Sequence, residues 1–242
     1  MVPPRARLIV GVLAGVLTLA GAALAQRVIS AKSGFVLFVQ GRVSVEGGSL
    51  KAGESYRQLK DGESLSIERG RAEVLLNPGT ILRLGDMGRL HMDDVKLTDA
   101  CVSLQSGSAV ITVNYILKTD HIRLLAGGNV ILMKQQGVYR LDVERSDVGQ
   151  GRLRVFSGQA EVGRDGSVAK VTVKRGEAAD FDDGLKIAKF DVKETDSLQR
   201  WANARSRTLA PRNLLPRPQP PRVGWNSDSP PDPATSTSSS RF

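Results

Sequence analysis

Two histidines, His91 and His121, a lone cysteine, Cys101, and an aspartate run at Asp180, Asp182 and Asp183 are the side chains of this sequence best suited to chemistry. A protein zinc site needs three or four His, Cys or carboxylate ligands at short spacing, and neither histidine has another nearby. His91 precedes Asp93 and Asp94, and that run reads as a polar turn before Val95. His121 reads as the opening of a strand with Ile122 and Leu124, at an edge or on the surface. Cys101 alternates with Val102 and Leu104, so it lies opposite their apolar face. Without a second cysteine it forms no internal disulfide, and it is expected to be unpaired and partly covered; an intermolecular bridge is the rival reading. The run from Asp180 to Gly184 has the flavour of a calcium loop, but Asp191 stands where an EF-hand has its glutamate, so an Asp-Gly turn is expected. A Gly-x-Ser-x-Gly elbow, a phosphate loop and a dinucleotide fingerprint are absent from the sequence. Phe, Trp and Tyr make up 5% of the chain, which leaves little material for an aromatic sugar-stacking groove. These observations point to a protein with no catalytic residues, no metal and no cofactor.

The elements that would carry such residues are strands. A glycine followed by apolar residues two and four positions on recurs at Gly41-x-Val43-x-Val45, Gly107-x-Ala109-x-Ile111, Gly128-x-Val130-x-Leu132 and Gly158-x-Ala160-x-Val162. Apolar residues at every second position turn one face of a strand to a core, and the glycine marks a turn or bend at the start. Strands are expected at 35–39 and 42–45 with Gly41 between them, and then at 65–67, 72–76, 81–84, 102–104, 109–113, 121–125, 130–133 and 139–143. A run over 155–162 should form a hairpin with 168–173 through Asp165-Gly166. Two further strands flank Asp183-Gly184. The turn at Leu59-Lys60-Asp61-Gly62-Glu63 is echoed by Val173-Lys174-Arg175-Gly176-Glu177, through either a duplicated β unit or shared turn chemistry. The fold class is all-β: one domain of short antiparallel strands, of sandwich, jelly-roll or roll type.

The ends differ from this body. Arg5 and Arg7 precede an apolar run from Leu8 to Leu24, and Ala23-Leu24-Ala25 has the small-x-small pattern of a signal-peptidase site, with Gln26 as the new N-terminus. An uncleaved inner-membrane anchor is the alternative. Residues 1–25 are therefore taken as a signal peptide, 26–194 as the β domain, 195–210 as a helix and 211–242 as a disordered tail. Asp196 followed by Gln199 resembles a capping box, and Leu198, Trp201, Ala202, Arg205 and Leu209 share one helical stripe. The tail holds eight of the 11 prolines and is poor in apolar residues, a composition that does not bury enough surface to order a chain. The net charge of +9 is unevenly placed. Residues 197–242 carry seven arginines against two aspartates, whereas 26–196 hold 25 basic and 23 acidic side chains. A nearly neutral body and an export signal argue against nucleic acid. A cationic end suits an anionic lipid, polymer or acidic protein surface.

Taken in order, these phrases resemble the FecR-domain family. The residues are Val39-x-Gly41-x-Val43, Leu59-x-x-Gly62-Glu63-x-Leu65, the segment from Arg71 through Pro78-Gly79-Thr80 to Leu84, and Leu104-x-x-Gly107-x-Ala109-Val110. Gly137-x-Tyr139-Arg140, Val155-x-x-Gly158-x-Ala160-x-Val162 and Gly176-Glu177 complete the set, over roughly residues 34–180. The resemblance implies a periplasmic β domain that acts as an interaction module. Signalling members also hold a sigma factor with a cytoplasmic segment. About seven residues precede the apolar run here, so the anti-sigma role is not expected to transfer.

The expected function is that of a non-catalytic, periplasmic or secreted module for protein interaction, sensing or scaffolding. The alternative is a cell-wall or polysaccharide-binding protein. Partners would be an envelope protein or an anionic envelope polymer, with Trp201, Arg205, Arg212, Arg217 and Arg222 as candidate partner-binding residues. Trp201 also has a structural reading, that of pinning the helix to the β domain.

Overall fold

The structure, a computed structural model, describes residues 33–51, 57–145, 150–181 and 184–209. The expected signal segment with Ala23, Ala25 and Gln26 lies outside those residues. So does the tail with Arg212, Arg217 and Arg222, as do Asp182, Asp183 and the Leu209 side chain.

The described chain is all-β with one helix near its end. Its strands are β1 (Phe35–Val45), β2 (Gly48–Leu50), β3 (Arg57–Gln58), β4 (Ser64–Asn77), β5 (Thr80–Leu84), β6 (Arg89–Asp94), β7 (Cys101–Val113) and β8 (Arg123–Ala126). They continue as β9 (Asn129–Met133), β10 (Gly137–Val143), β11 (Gly151–Ser157), β12 (Gln159–Arg164), β13 (Val171–Lys174), β14 (Glu177–Asp180) and β15 (Ile187–Lys189). The helix, α1 (Ser197–Leu209), falls within the expected 195–210. All pairings are antiparallel except that of β7 with β8.

Three strands are long and serve two halves of the sheet. Residues 35–39 of β1 pair with 72–75 of β4, and Val43–Val45 pair with Ile67–Leu65 of the same strand. Likewise, the end of β4 meets β5 and its beginning meets β6. The end of β7 lies between β5 and β10, and its beginning lies between β6 and β8. The first half then continues through β10, β11, β14 and β15, and the second through β8, β9, β12 and β13. Inward side chains of both halves, among them Val36, Val43, Leu65, Val74, Leu84, Leu104, Ile111 and Ile131, form one buried core.

This corrects the expected strand boundaries. Gly41 does not separate two strands; it lies inside the 11-residue β1. The segments 65–67 and 72–76 join in the 14-residue β4, and 102–104 joins 109–113 in the 13-residue β7. Gly41 is the register partner of Gly70, and both have positive φ, +88° and +131°. A Cβ on Gly70 would stand 1.9 Å from the Gln40 carbonyl oxygen, and one on Gly41 would stand 2.2 Å from that of Arg69. Two glycines therefore let two strands bend together from one half into the other while their backbones stay in contact.

Further boundaries also move. The run over 155–162 is two strands, and the chain passes from the first half to the second at Gly158. Above that glycine sits the hydroxyl of the fully buried Tyr139, which donates to the Gln135 carbonyl at 2.5 Å and accepts from the Gln159 N–H at 3.2 Å. Asp165-Gly166 forms a turn, but β13 starts only at Val171 and Val168 is 97% exposed, so the hairpin loop is longer than two residues. β8 begins at Arg123, leaving His121 exposed ahead of it.

The two Lys-x-Gly-Glu turns are built alike. Gly62 and Gly176 have φ of +81° and +80°. In each turn the glutamate folds back to accept a backbone N–H, Lys60 to Glu63 Oε2 at 3.0 Å and Lys174 to Glu177 Oε2 at 2.8 Å.

Candidate functional site

The outer face of the first half holds the most deeply buried charges among the described residues. Because side chains alternate along a strand, Glu73 and Arg83 point away from the core that Ala72, Val74, Leu82 and Leu84 fill. They are direct register partners on β4 and β5, and both side chains are fully buried. Arg83 Nε donates to Glu73 Oε1 at 2.7 Å, and its Nη1 donates to Thr112 Oγ1 at 2.8 Å. Its Nη2 is buried with no partner among the described residues. Burial pushes the Arg83 guanidinium below its ordinary pKa, and Glu73 only partly opposes this.

Helix α1 covers this bed. Leu198 and Ala202 are buried against Val110, flanked by Val138 and Trp201. Arg205, on the same side of the helix, grips Glu73 with two bonds, Nη2 to Oε2 at 2.6 Å and Nε to Oε1 at 3.2 Å. Those bonds raise the Arg205 pKa. Its guanidinium carbon lies 4.7 Å from the Phe38 ring centroid. Trp201 lies 5.6 Å from the same ring, with Arg71 over its own face at 5.3 Å.

A second ionic contact fixes the start of the helix. Asp196 accepts the Gln199 N–H at 2.8 Å, as a capping residue does, and pairs with Arg140 Nη1 at 2.7 Å. Gln199 does not complete the reciprocal half of the box; its amide instead donates to Asn203. Burial alone would raise the Asp196 carboxyl. The Arg140 bond, with the Gln199 N–H, outweighs it and holds the pKa below the usual value. Arg140 also binds Asp142, which accepts from Arg154 Nη2 at 2.6 Å and from the Ser108 hydroxyl at 2.6 Å.

Of the expected partner-binding residues that are described, Trp201 and Arg205 thus contact the β domain of the same chain. The pinning role anticipated for Trp201 is what the geometry provides. Glu73, Arg83 and Arg140 entered the sequence analysis only inside the phrases that resemble the FecR-domain family, not as site residues, and Asp142 was not singled out. A local signal was a charge between apolar neighbours, as in Ala72-Glu73-Val74 and Leu82-Arg83-Leu84, which marks a second face that something must cover.

The side chains whose types are best suited to chemistry are dispersed among the described residues. His91 Nδ1 lies 3.0 Å from the Ser64 hydroxyl, and its Nε2 is 3.9 Å from Asp93. Asp94 instead pairs with Lys96 at 2.8 Å. The His121 ring meets the Thr119 carbonyl. Asp180 pairs with Arg152. Among the described residues no group of three or more His, Cys, Asp or Glu is placed to hold a metal ion. Cys101 is more covered than expected, at 4% exposure, and burial raises its thiol pKa.

A different surface forms where the long strands bend. Arg42 and Arg69 are direct register partners on β1 and β4, beside the two glycines. Arg42 pairs with Glu68 at 3.1 Å, both side chains being more than 60% exposed. Asp86 is engaged by the Gly70 N–H. An open cleft of about 490 Å³ is lined by Arg42, Ser44, Ser49, Ser66, Arg89 and Arg145 together with Glu68 and Met87. A second, of about 470 Å³, shares Arg42 and adds Arg69, Arg71 and Asp86.

No family model matches the chain, and no curated protein matches it. It is similar to two crystal structures of candidate anti-sigma factors from Parabacteroides distasonis ATCC 8503. The first, at 1.65 Å resolution, is 14% identical with a TM-score of 0.43, covering 59% of this chain and 64% of that one. The second, at 2.50 Å, is 13% identical with a TM-score of 0.34, covering 66% of this chain and 63% of that one. The chain therefore spans less than two thirds of either neighbour's length.

Proposed function

We propose that this chain is a non-catalytic, FecR-like binding module of the cell envelope, exported by its N-terminal segment and acting through contacts with another envelope protein. One observation carries the reading: the buried ionisable groups are used to hold a helix on a β body, while unpaired cations collect on an open surface. A buried Glu73–Arg83–Arg205 cluster joining residues far apart in sequence suits fold specificity rather than turnover. The FecR-like reading is supported by where its phrases fall, at the Gly41 bend, the two Lys-x-Gly-Glu turns and the Tyr139–Gly158 contact. No helix among the described residues is long and apolar enough to cross a membrane. In-cell cross-linking of the tagged protein, followed by fractionation, tests the proposal. The expected result is one recurrent envelope-protein adduct in the periplasmic or secreted fraction; a cytoplasmic product, or catalytic turnover of a substrate, defeats it.

A second reading, binding to an anionic wall polymer, is favoured by the arginine-lined bend. Retention on purified sacculi, lost as salt is raised, distinguishes it from the first.

A further inference from the structure

We infer that the outer surface of the bend, centred on Arg42 and Arg89, is a binding site for the acid groups of an extended acidic polysaccharide. The inference deepens the second reading above and leaves protein partnership as a separate matter.

The charges come first. Like charges placed directly opposite on neighbouring strands oppose pairing, yet Arg42 and Arg69 face each other here. Arg42 has Glu68 to answer it, but Arg69 and Arg89 have no ion pair among the described residues. The nearby Asp86 carboxylate is turned to the Gly70 N–H. The surface thus keeps guanidinium donors that the fold does not use, and a guanidinium fork matches an oxyanion in two bonds.

The hydroxyls are ordered by register. Ser49 pairs with Ser44, Ser44 with Ser66, and Ser66 with Arg89, so three hydroxyls and a cation form one row across four strands. The two clefts join at Arg42, giving a track longer than a single ion requires. Met87, in the turn between β5 and β6, also lines the track and is 52% exposed.

The occupant follows from what the track lacks. Most of it crosses a sheet face whose backbone is already paired; its one strand edge is the free side of β2, which pairs with β1 alone and is three residues long, so an extended peptide has little to add to. Among the described residues that line the track, Met87 is the one large exposed apolar side chain, little for a lipid bilayer to receive. A chain of hydroxylated units carrying spaced carboxylates or phosphates uses both the guanidiniums and the serine row.

The test uses the purified protein and four probes in about 0.15 M salt: polygalacturonate, neutral dextran, poly-glutamate and anionic phosphatidylglycerol vesicles. Polygalacturonate should bind most tightly and dextran should not bind. The double variant Arg42→Ser/Arg89→Ser should weaken polygalacturonate binding about tenfold or more. The charge-matched Lys118→Ser/Lys170→Ser, on exposed positions elsewhere, should leave it unchanged. Melting temperatures of both variants confirm folding, and if the double serine variant unfolds, Arg89→Lys replaces it, with partial loss expected. Equal loss in both variants would assign the binding to diffuse charge and overturn the inference. Tighter binding to poly-glutamate or to vesicles would do the same. Sacculus retention surviving in Arg42→Ser/Arg89→Ser would leave wall binding standing and remove only this site.

Discussion

The outer faces of the two halves use arginine in opposite ways. Under α1, Arg83, Arg140 and Arg205 are buried or half-buried, and carboxylates meet each of them at hydrogen-bond distance. At the bend, Arg42, Arg69 and Arg89 stand in solvent, with Glu68 the one carboxylate in an ion pair among them. The difference follows from solvation. A cation that loses water must gain a carboxylate, whereas a hydrated one tolerates a neighbour of like charge at small cost. The first arrangement specifies where a helix sits; the second leaves charge available to something else.

The sharpest way to break this comparison is at Glu73. Glu73→Ala strands two guanidiniums over a dry face and should cost about 3–5 kcal/mol, read by guanidinium chloride unfolding. Replacing Glu73, Arg83 and Arg205 together by leucine should cost far less, since no charge is then left unpaired. A small loss in Glu73→Ala would show that water reaches the bed and that the two faces are alike. Next comes Trp201→Ala. The indole is half-buried, so the loss should be about 2 kcal/mol, below the 3–5 of a fully enclosed ring, with α1 becoming protease-sensitive before the β body.

Asp196 gives a smaller and pH-dependent effect. Its carboxyl is held below the ordinary value of about 3.9. The stability it adds is therefore present above about pH 4 and lost as pH falls through the lowered folded-state value. Because the side chain is 49% exposed, Asp196→Asn should cost about 1 kcal/mol or less near neutrality. The gap from wild type should close in acid, as followed by thermal melts from neutral to acidic pH. Smallest of all is Arg69→Ser at the bend, expected within about 0.5 kcal/mol of wild type and tending to stabilise by removing the charge opposite Arg42. A loss of several kcal/mol there would mean that the bend cations hold the fold after all.

Much of the β body could be read from alternation, because one buried face imposes a period of two on each strand. The helix was equally legible: Asp196 caps it, and Leu198 and Ala202 mark its buried stripe. The repeated Gly-Glu phrase was visible, and its cause is a turn in which the glutamate bonds back to the lysine N–H. Less legible were the bends. A glycine after a strand looks the same whether the chain reverses there or continues at an angle, and only the Gly41–Gly70 pairing distinguishes the two. The bed beneath α1 was hidden for another reason. Glu73 and Arg205 are 132 residues apart, and nothing local in either segment names the other.

By itself, then, the order of residues determined the strand-rich body, the two matched turns and a capped amphipathic helix, since each follows from bonds and burial within a few neighbours. The tertiary structure alone decided that three strands serve both halves of the sheet, that Arg205 closes on Glu73, and that Arg42 and Arg69 meet across a bend. Those outcomes depend on which distant segments come into register, and pairing across a fold is a property of the whole packed chain rather than of any stretch within it.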